Sequence, residues 1–268
     1  MFENLTLLIH SCGAYSDLWS GQIEMLNRHW NDRQIRTVIL TDTNPPNYSF
    51  DNVEIFCAGE GKEITGRLSA FLPFIETEYV FVTLDDYYLL HDVDNARIKE
   101  LLNFMDDNNY DYLRLFNAPH GGKALKKIKK VYNVYNSKKI SNYYVNLYPG
   151  IWRKSFIEKT VDQSLNAWQY EVSLTPFAID NGIKCAMTKG KEYRILDVIR
   201  KGKVLRKAHR YFKKDPVYQG NREIMPLKDE WKLKFRDFVK CILPRKLEQK
   251  LKKRMMKRGM TFYSPLDE

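Results

Sequence analysis

The sequence predicts an α/β fold, with a sheet mostly parallel in its first half, helices on its flanks and a basic helical extension at the C-terminus. Three observations carry this reading. Short apolar runs rich in β-formers alternate with stretches of helical periodicity over residues 5–116. Several of the runs stop at polar residues: Ser11, Asp42 and the pair Asp85-Asp86. Charge is segregated along the chain. Residues 200–258 hold 22 Lys and Arg against six Asp and Glu, a balance of +16, whereas the rest of the chain balances at −5.

The elements follow in order. Leu5–His10 is the first strand and breaks at Ser11-Cys12-Gly13. From about Asp17 to Trp30, the residues Leu18, Trp19, Ile23, Leu26 and Trp30 recur at a helical period. Thr37–Leu40 is the second strand; it ends at Thr41-Asp42 and is followed by the turn Asn44-Pro45-Pro46-Asn47. Val53–Cys57 is a third, weaker strand. Gly59–Gly61 opens a helix near Glu63–Ile75 that buries Ile64, Leu68, Phe71, Leu72 and Ile75. Tyr79–Leu84 is the most strand-like run in the chain. Asn95–Met105 reads as a helix and Tyr112–Phe116 as a strand. Residues 117–150 read as a variable insert with many lysines and tyrosines, and Pro149–Trp152 as a turn leading into a helix at Ser155. A further helix begins at Asn166–Glu171, and Ile183–Met187 is the last core strand.

The chain has 268 residues, 44% hydrophobic and 13% aromatic, with a net charge of +11. That is enough apolar material for one larger domain, or one domain with an appendage, and it excludes disordered, collagen-like and disulfide-scaffold classes. No apolar run approaches the ~20 residues that span a bilayer. The opening Met1-Phe2-Glu3-Asn4 lacks the basic start and apolar stretch of a signal peptide. The four cysteines are widely spaced and form no CxxC pair. The expectation is a cytoplasmic protein with free thiols.

The sharpest local signal is the acidic pair Asp85-Asp86 after an apolar strand. Like charges repel when buried, so such a pair reaches solvent, a cation or a basic partner. Carboxylate oxygens suit Mg2+ or Mn2+, which take few protein ligands when phosphate oxygens complete the shell. The plainer alternative is that both residues cap a turn or the following helix.

Several segments together resemble bacterial GT-A-fold glycosyltransferases of capsule, O-antigen and other surface-polysaccharide (lipopolysaccharide) synthesis. IHSCGAYSDLW is similar to their first strand and nucleotide loop, and RTVILTD to their second strand with its terminal Asp. GRLSAFLPFIETEYVFVTLDDYYLL resembles the helix and strand leading into their DxD-type motif. YPGIWRKSFIEK, followed by AWQYEVS, resembles their acceptor-side Trp segment and W-x-x-E helix start. The likeness spans about residues 5–205. In one respect the sequence departs from the family pattern: Leu84-Asp85-Asp86-Tyr87 has no carboxylate at 87, so either Asp86 takes the metal alone or the sugar is held with little metal dependence.

The resemblance implies a Rossmann-type mixed sheet flanked by helices in residues 1–205, a catalytic domain for nucleotide-sugar and acceptor binding. Residues 206–268 form the basic extension. Ser11, Cys12 and Gly13 would surround the base of a nucleoside-diphosphate sugar, and Asp42 would accept from base or ribose. Arg67 and Lys203 would hold the diphosphate. Asp86, with Asp85, would hold a divalent cation bridging the phosphates. Glu171 would be the base of an inverting transfer, with Asp180 as the other candidate. Trp168 would stack on a sugar; Trp152 is either an acceptor platform or a core residue. Asp42, Arg67 and Glu171 each have an ordinary structural alternative as a strand-end turn residue, a solvated helix face and a first-turn helix carboxylate.

In the tail, Trp231, Phe235, Phe238, Val239 and Ile242 recur at helical spacing, as do Leu247, Leu251 and Met255, with Pro244 between the two sets. A basic amphipathic helix of this kind suits an anionic membrane surface, here through residues 230–258. That fits a lipid-linked saccharide acceptor and a place at the inner face of the plasma membrane. The competing classes are a metal-dependent nucleic-acid enzyme, against which no DNA or RNA motif appears, and a non-catalytic membrane-bound assembly partner.

Overall fold

The computed structural model describes residues 4–43, 48–136, 141–161 and 164–242, with 250, 253, 254 and 256. The expected Pro45-Pro46 turn, the Pro244 break and the apolar set at 247, 251 and 255 lie outside the described residues. Two compact units are present: Met1–Leu196 with Val217–Gly220, and Asp197–Pro216 with Asn221–Glu268.

The first unit is built on an eight-stranded mixed sheet. Its elements are β1 (Leu5–His10), α1 (Trp19–His29), β2 (Arg36–Thr41), β3 (Glu54–Cys57), α2 (Ile64–Phe71), β4 (Tyr79–Leu84), β5 (Tyr87–Leu89), α3 (Asn95–Asn108), β6 (Tyr112–Arg114), β7 (Tyr132–Asn133), β8 (Gly150–Arg153), α4 (Lys154–Glu158), α5 (Ala167–Asp180) and β9 (Cys185–Met187). The strand order is β3-β2-β1-β4-β8-β6-β9-β7. β1 pairs in parallel with β2 and β4, β2 with β3, and β6 with β9; β8 runs antiparallel between β4 and β6, and β7 antiparallel to β9.

Central strands are apolar on both faces because helices cover both. In β4, Val80 and Val82 join one core with Leu68 and Phe71 of α2 and Leu174 of α5. Tyr79 and Phe81 join the other, with Trp19 and Ile23 of α1 and Leu101 of α3. α3 is capped by Asp94, whose carboxylate accepts from Ala96 N and Arg97 N. α5 opens with a reciprocal capping box between Asn166 and Gln169.

Pro149–Trp152 is not a turn, although the helix expected at Ser155 does follow it as α4. β8 begins at Gly150 and inserts between β4 and β6, with Ile151 and Trp152 in opposite cores. A Cβ on Gly150 would stand 2.9 Å from Leu113 O, so the strand approach needs glycine there.

β10 (Ile195–Asp197) pairs with β5. The second unit holds β11 (Ile199–Arg200), β12 (Lys203–Val204), α6 (Arg206–Phe212) and α7 (Leu227–Ile242). β11 and β12 form a tight hairpin whose two turn residues, Lys201 and Gly202, both have positive φ, 53° and 73°. Among the described residues, no helix is long and apolar enough to cross a membrane.

Candidate functional site

The parallel strands bring their last residues to one rim. The register pairs His10 with both Leu40 and Leu84, so the residues that follow each strand emerge side by side. Ser11 N donates to Leu40 O (2.9 Å) and Asp85 N to His10 O (3.1 Å), which locks the three strand ends together. In sheets of this class, ligands sit beyond the carboxyl ends of the strands.

Ser11 is the junction. It is 4% exposed; its hydroxyl donates to Asp85 Oδ2 and accepts from Trp19 Nε1 (2.6 Å). Asp85 is 7% exposed, while Asp86 is half-buried at the start of the turn into β5. Gly13 N donates to Asp42 Oδ1 (2.7 Å), tying the loop after β1 to the end of β2. A Cβ at Gly13 would collide with Thr43 Oγ1 and stand 3.2 Å from Thr43 Cβ, so any larger residue would have to turn the Thr43 side chain aside.

Cys12 reports the field of the whole rim. Its thiol is pushed up first by burial and then by the carboxylates of Asp85 and Asp42, while Arg67 opposes them. Four residues from four separate segments (Cys12, Asp42, Arg67 and Asp85) are therefore within electrostatic reach of one point. Arg67 projects from α2; its Nη1 donates to Lys62 O (2.6 Å), and its Nε is buried without a hydrogen-bond partner among the described residues.

His10 was not singled out by sequence. It is fully buried at the end of β1, and neither ring nitrogen has a hydrogen-bond partner among the described residues. Burial, aided by the Arg67 charge, pulls its pKa from 6.5 to about 3, so it is neutral. Between those values the unfolded chain binds a proton that the folded chain refuses. Stability is therefore lost as pH falls below about 6.5, by up to ~1.4 kcal/mol per pH unit. Urea midpoints measured from pH 7 to pH 5 should fall more steeply for the wild type than for His10→Gln. Parallel profiles would mean that His10 titrates freely in the fold.

Glu171 lies on α5, past the first turn. Its Oε1 accepts from Leu147 N (3.3 Å), and Thr175, one turn on, accepts from Val145 N (3.0 Å) and donates to Val145 O. The same helix face therefore grips segment 145–147. The next residue, Tyr148, stacks on Phe116 (4.0 Å between centroids) and on Tyr87 (5.7 Å), which directly follows Asp86. Gly150 pairs with Val82, which sets this segment against the carboxyl end of β4. Trp168 is 63% exposed and one helical turn from Glu171. Asp180 is exposed at the opposite end of α5.

One expected residue is buried in the core of the first unit, and another belongs to the second unit. Trp152 is 1% exposed, with its ring packed against Tyr112 (5.0 Å) and Phe156 (5.6 Å), so it is a core residue with no face open to a sugar. Lys203 belongs to the second unit, where its Nζ bonds Glu223 Oε2 (2.6 Å). The Gly202 beside it serves the hairpin turn.

Arg114 was also missed. It is fully buried on β6, and its guanidinium donates to the carbonyls of Phe116, Tyr143, Tyr144 and Pro119 and to Met187 Sδ. It pins both ends of the insert that delivers Leu147 and Tyr148.

Two hollows of the first unit, about 370 Å³ and 610 Å³, are lined by 107–110 with 125–127 and by 33–36 with 51–52. Both adjoin the amino ends of strands. Neither hollow is lined by a rim residue, and each has its own charges: Asp107 with Lys126, Lys127 and Lys184 in the first, Asp51 with Arg33 and Arg36 in the second. Among the described residues, no group of three or more His, Cys, Asp or Glu is placed to hold a metal ion.

No protein-family profile matches the chain, and neither does any curated protein. Among solved structures, Staphylococcus aureus TarS 1–349 in complex with UDP-GlcNAc superimposes with a TM-score of 0.50 at 15% identity, over 75% of this chain and 60% of that one. TarS 1–349 alone gives 0.47 at 14% identity, covering 71% and 59%. A cytidylyltransferase from Leptospira borgpetersenii gives 0.44 at 12% identity, covering 83% and 99%. The chain spans about 60% of the length of the TarS fragment. The likeness establishes an α/β fold shared with TarS.

Proposed function

We propose that this chain is a glycosyltransferase that moves a sugar from a nucleoside-diphosphate donor to a saccharide hydroxyl at the carboxyl-end rim of the sheet. The observation that carries the reading is the rim geometry, where Ser11 bonds Asp85, Gly13 N bonds Asp42 and α2 carries Arg67 with its Nε buried. The fold shared with TarS, seen with UDP-GlcNAc bound, supports the donor class.

Ser11, Cys12 and Gly13 line the base, and Asp42, already accepting from Gly13 N, orients the nucleoside. Arg67 pairs with the diphosphate, its planar fork suited to two phosphate oxygens. Because Asp85 accepts the Ser11 hydroxyl, Asp86 is the first candidate to hold a divalent cation, Mg2+ or Mn2+, with Asp85 assisting. Two carboxylates fit such an ion when phosphate oxygens complete its shell. When bound, the cation offsets negative charge on the departing nucleoside diphosphate.

Glu171 takes the proton of the acceptor hydroxyl as that oxygen bonds to the anomeric carbon. The bond from that carbon to the phosphate oxygen breaks, the electron pair leaves with the nucleoside diphosphate, and the centre inverts. Exposed Trp168 offers the acceptor an aromatic face. We assign the acceptor to lipid-linked saccharides of bacterial surface-polysaccharide synthesis, on the sequence resemblance.

A thermal-shift panel of UDP-, GDP-, CMP- and dTDP-sugars, each with and without Mn2+, tests the reading, since a bound ligand raises the melting temperature. One donor class should stabilise the wild type. Asp86→Asn should weaken binding or turnover by at least about tenfold, roughly 1.4 kcal/mol. No shift with any donor would remove the proposal, and unchanged kinetics in EDTA would remove the cation.

A further inference from the structure

We propose that the second unit carries a docking face for an anionic phospholipid bilayer, in which the apolar row Ile224, Leu227, Trp231 and Phe235 enters the interface beside the cations of α6. These four side chains are 39%, 56%, 66% and 61% exposed, a concentration of large apolar surface on one stretch of about twelve residues. Leu227, Trp231 and Phe235 lie four residues apart on α7, so they form one stripe along the helix.

α6 supplies the matching charge. Arg206, His209, Arg210 and Lys213 recur at helical spacing, and together with Ile224, Leu227, Glu230 and Trp231 they line a groove of about 460 Å³. The opposite side of α6 is buried through Ala208 and Phe212, which fixes the cationic side outward. Lys228 and Lys232 are exposed on α7, and Lys232 pairs with Asp229 (3.3 Å). Glu230, 9% exposed, is the acidic group of the groove.

Charge and apolarity together select the occupant. A purely electrostatic partner would not require four exposed apolar side chains, and aliphatic Ile224 and Leu227 give a nucleobase no plane to stack on. An interface of acyl chains beneath anionic phosphates satisfies both, with Trp231 at headgroup depth. Each basic residue near such a surface adds on the order of 1 kcal/mol. The inference rests on exposure and charge in the second unit and not on the transfer chemistry, so either can fail without the other.

Co-sedimentation of the full chain with vesicles of phosphatidylcholine, with and without phosphatidylglycerol, tests it. The wild type should bind the anionic vesicles and leave the neutral ones. Replacing Arg206, Arg210 and Lys213 together by Gln should lower the partition coefficient on the order of 100-fold, from roughly 1 kcal/mol per charge. Trp231→Ser with Phe235→Ser should lower it at least about tenfold. Both sets are surface positions, and circular dichroism confirms that each variant keeps its helices. Wild-type partition of either variant, equal recovery on neutral vesicles, or salt-sensitive nucleic-acid binding through these residues without vesicle binding would overturn the proposal.

Discussion

Glu171→Gln is expected to lower turnover by about 10²–10⁴-fold while the donor still binds, the span that general-base catalysis contributes. The substitution isolates the proton. Glutamine keeps the side-chain length and an amide oxygen able to accept from Leu147 N, so segment 145–148 stays in place. What disappears is the carboxylate that takes the acceptor's proton. Donor affinity should survive because the residues assigned to the nucleotide lie just beyond β1, β2 and β4 and on α2, not on α5. The separation is read by measuring turnover beside nucleotide-sugar binding on the same preparation. Near-normal turnover would take Glu171 out of the mechanism. Asp180 is a poor substitute, since nine residues of helix put it about 14 Å away along the axis.

Arg114→Ala is expected to be the most destabilising single change in the first unit, by about 3–5 kcal/mol. The guanidinium is fully buried and bonds four backbone carbonyls and a thioether. Its removal takes a donor from each of those carbonyls, of which Tyr143 O keeps Asn146 Nδ2 (2.8 Å), and each buried group left without a donor costs about 1–3 kcal/mol. Burial already pulls the Arg114 pKa down, so the charge is held at some expense. Lysine is expected to rescue little, because one ammonium cannot reproduce a planar fork reaching carbonyls on two chain segments. A drop in melting temperature of about 10 °C or more should accompany Arg114→Ala at this chain length. A drop of only about 2 °C would show that the insert is held by other contacts.

The rim was legible because its parts sit where apolar runs stop. Tyr79–Leu84 is an unbroken apolar strand in sequence and in structure, and the acidic pair after it falls beside Ser11 as the parallel register requires. α2 showed its helical period, and α5 starts where the segment Asn166–Glu171 was expected to open a helix. β8 was hidden by its chemistry. Four residues buried on both faces give no alternation, and a Pro-Gly entry imitates a turn. With β8 unseen, Trp152 was left open as an acceptor platform, although the strand carries it into the core. Arg114 was illegible because its partners are carbonyls, which have no sequence signature. His10 offered one faint signal, a polar residue closing an otherwise apolar strand. Gly202-Lys203 read as a second basic clamp for the diphosphate; in the structure Gly202 turns a hairpin with Lys201, and Lys203 bonds Glu223.

A crystal structure of the protein soaked with the stabilising nucleotide sugar tests the central claim most directly. The account requires the diphosphate at the carboxyl ends of β1, β2 and β4, with Gly13 and Asp42 on the nucleoside side and Asp86 and Arg67 at the phosphates. A nucleotide found instead at the amino ends of the strands, in the hollow beside Arg33 and Arg36, would contradict it.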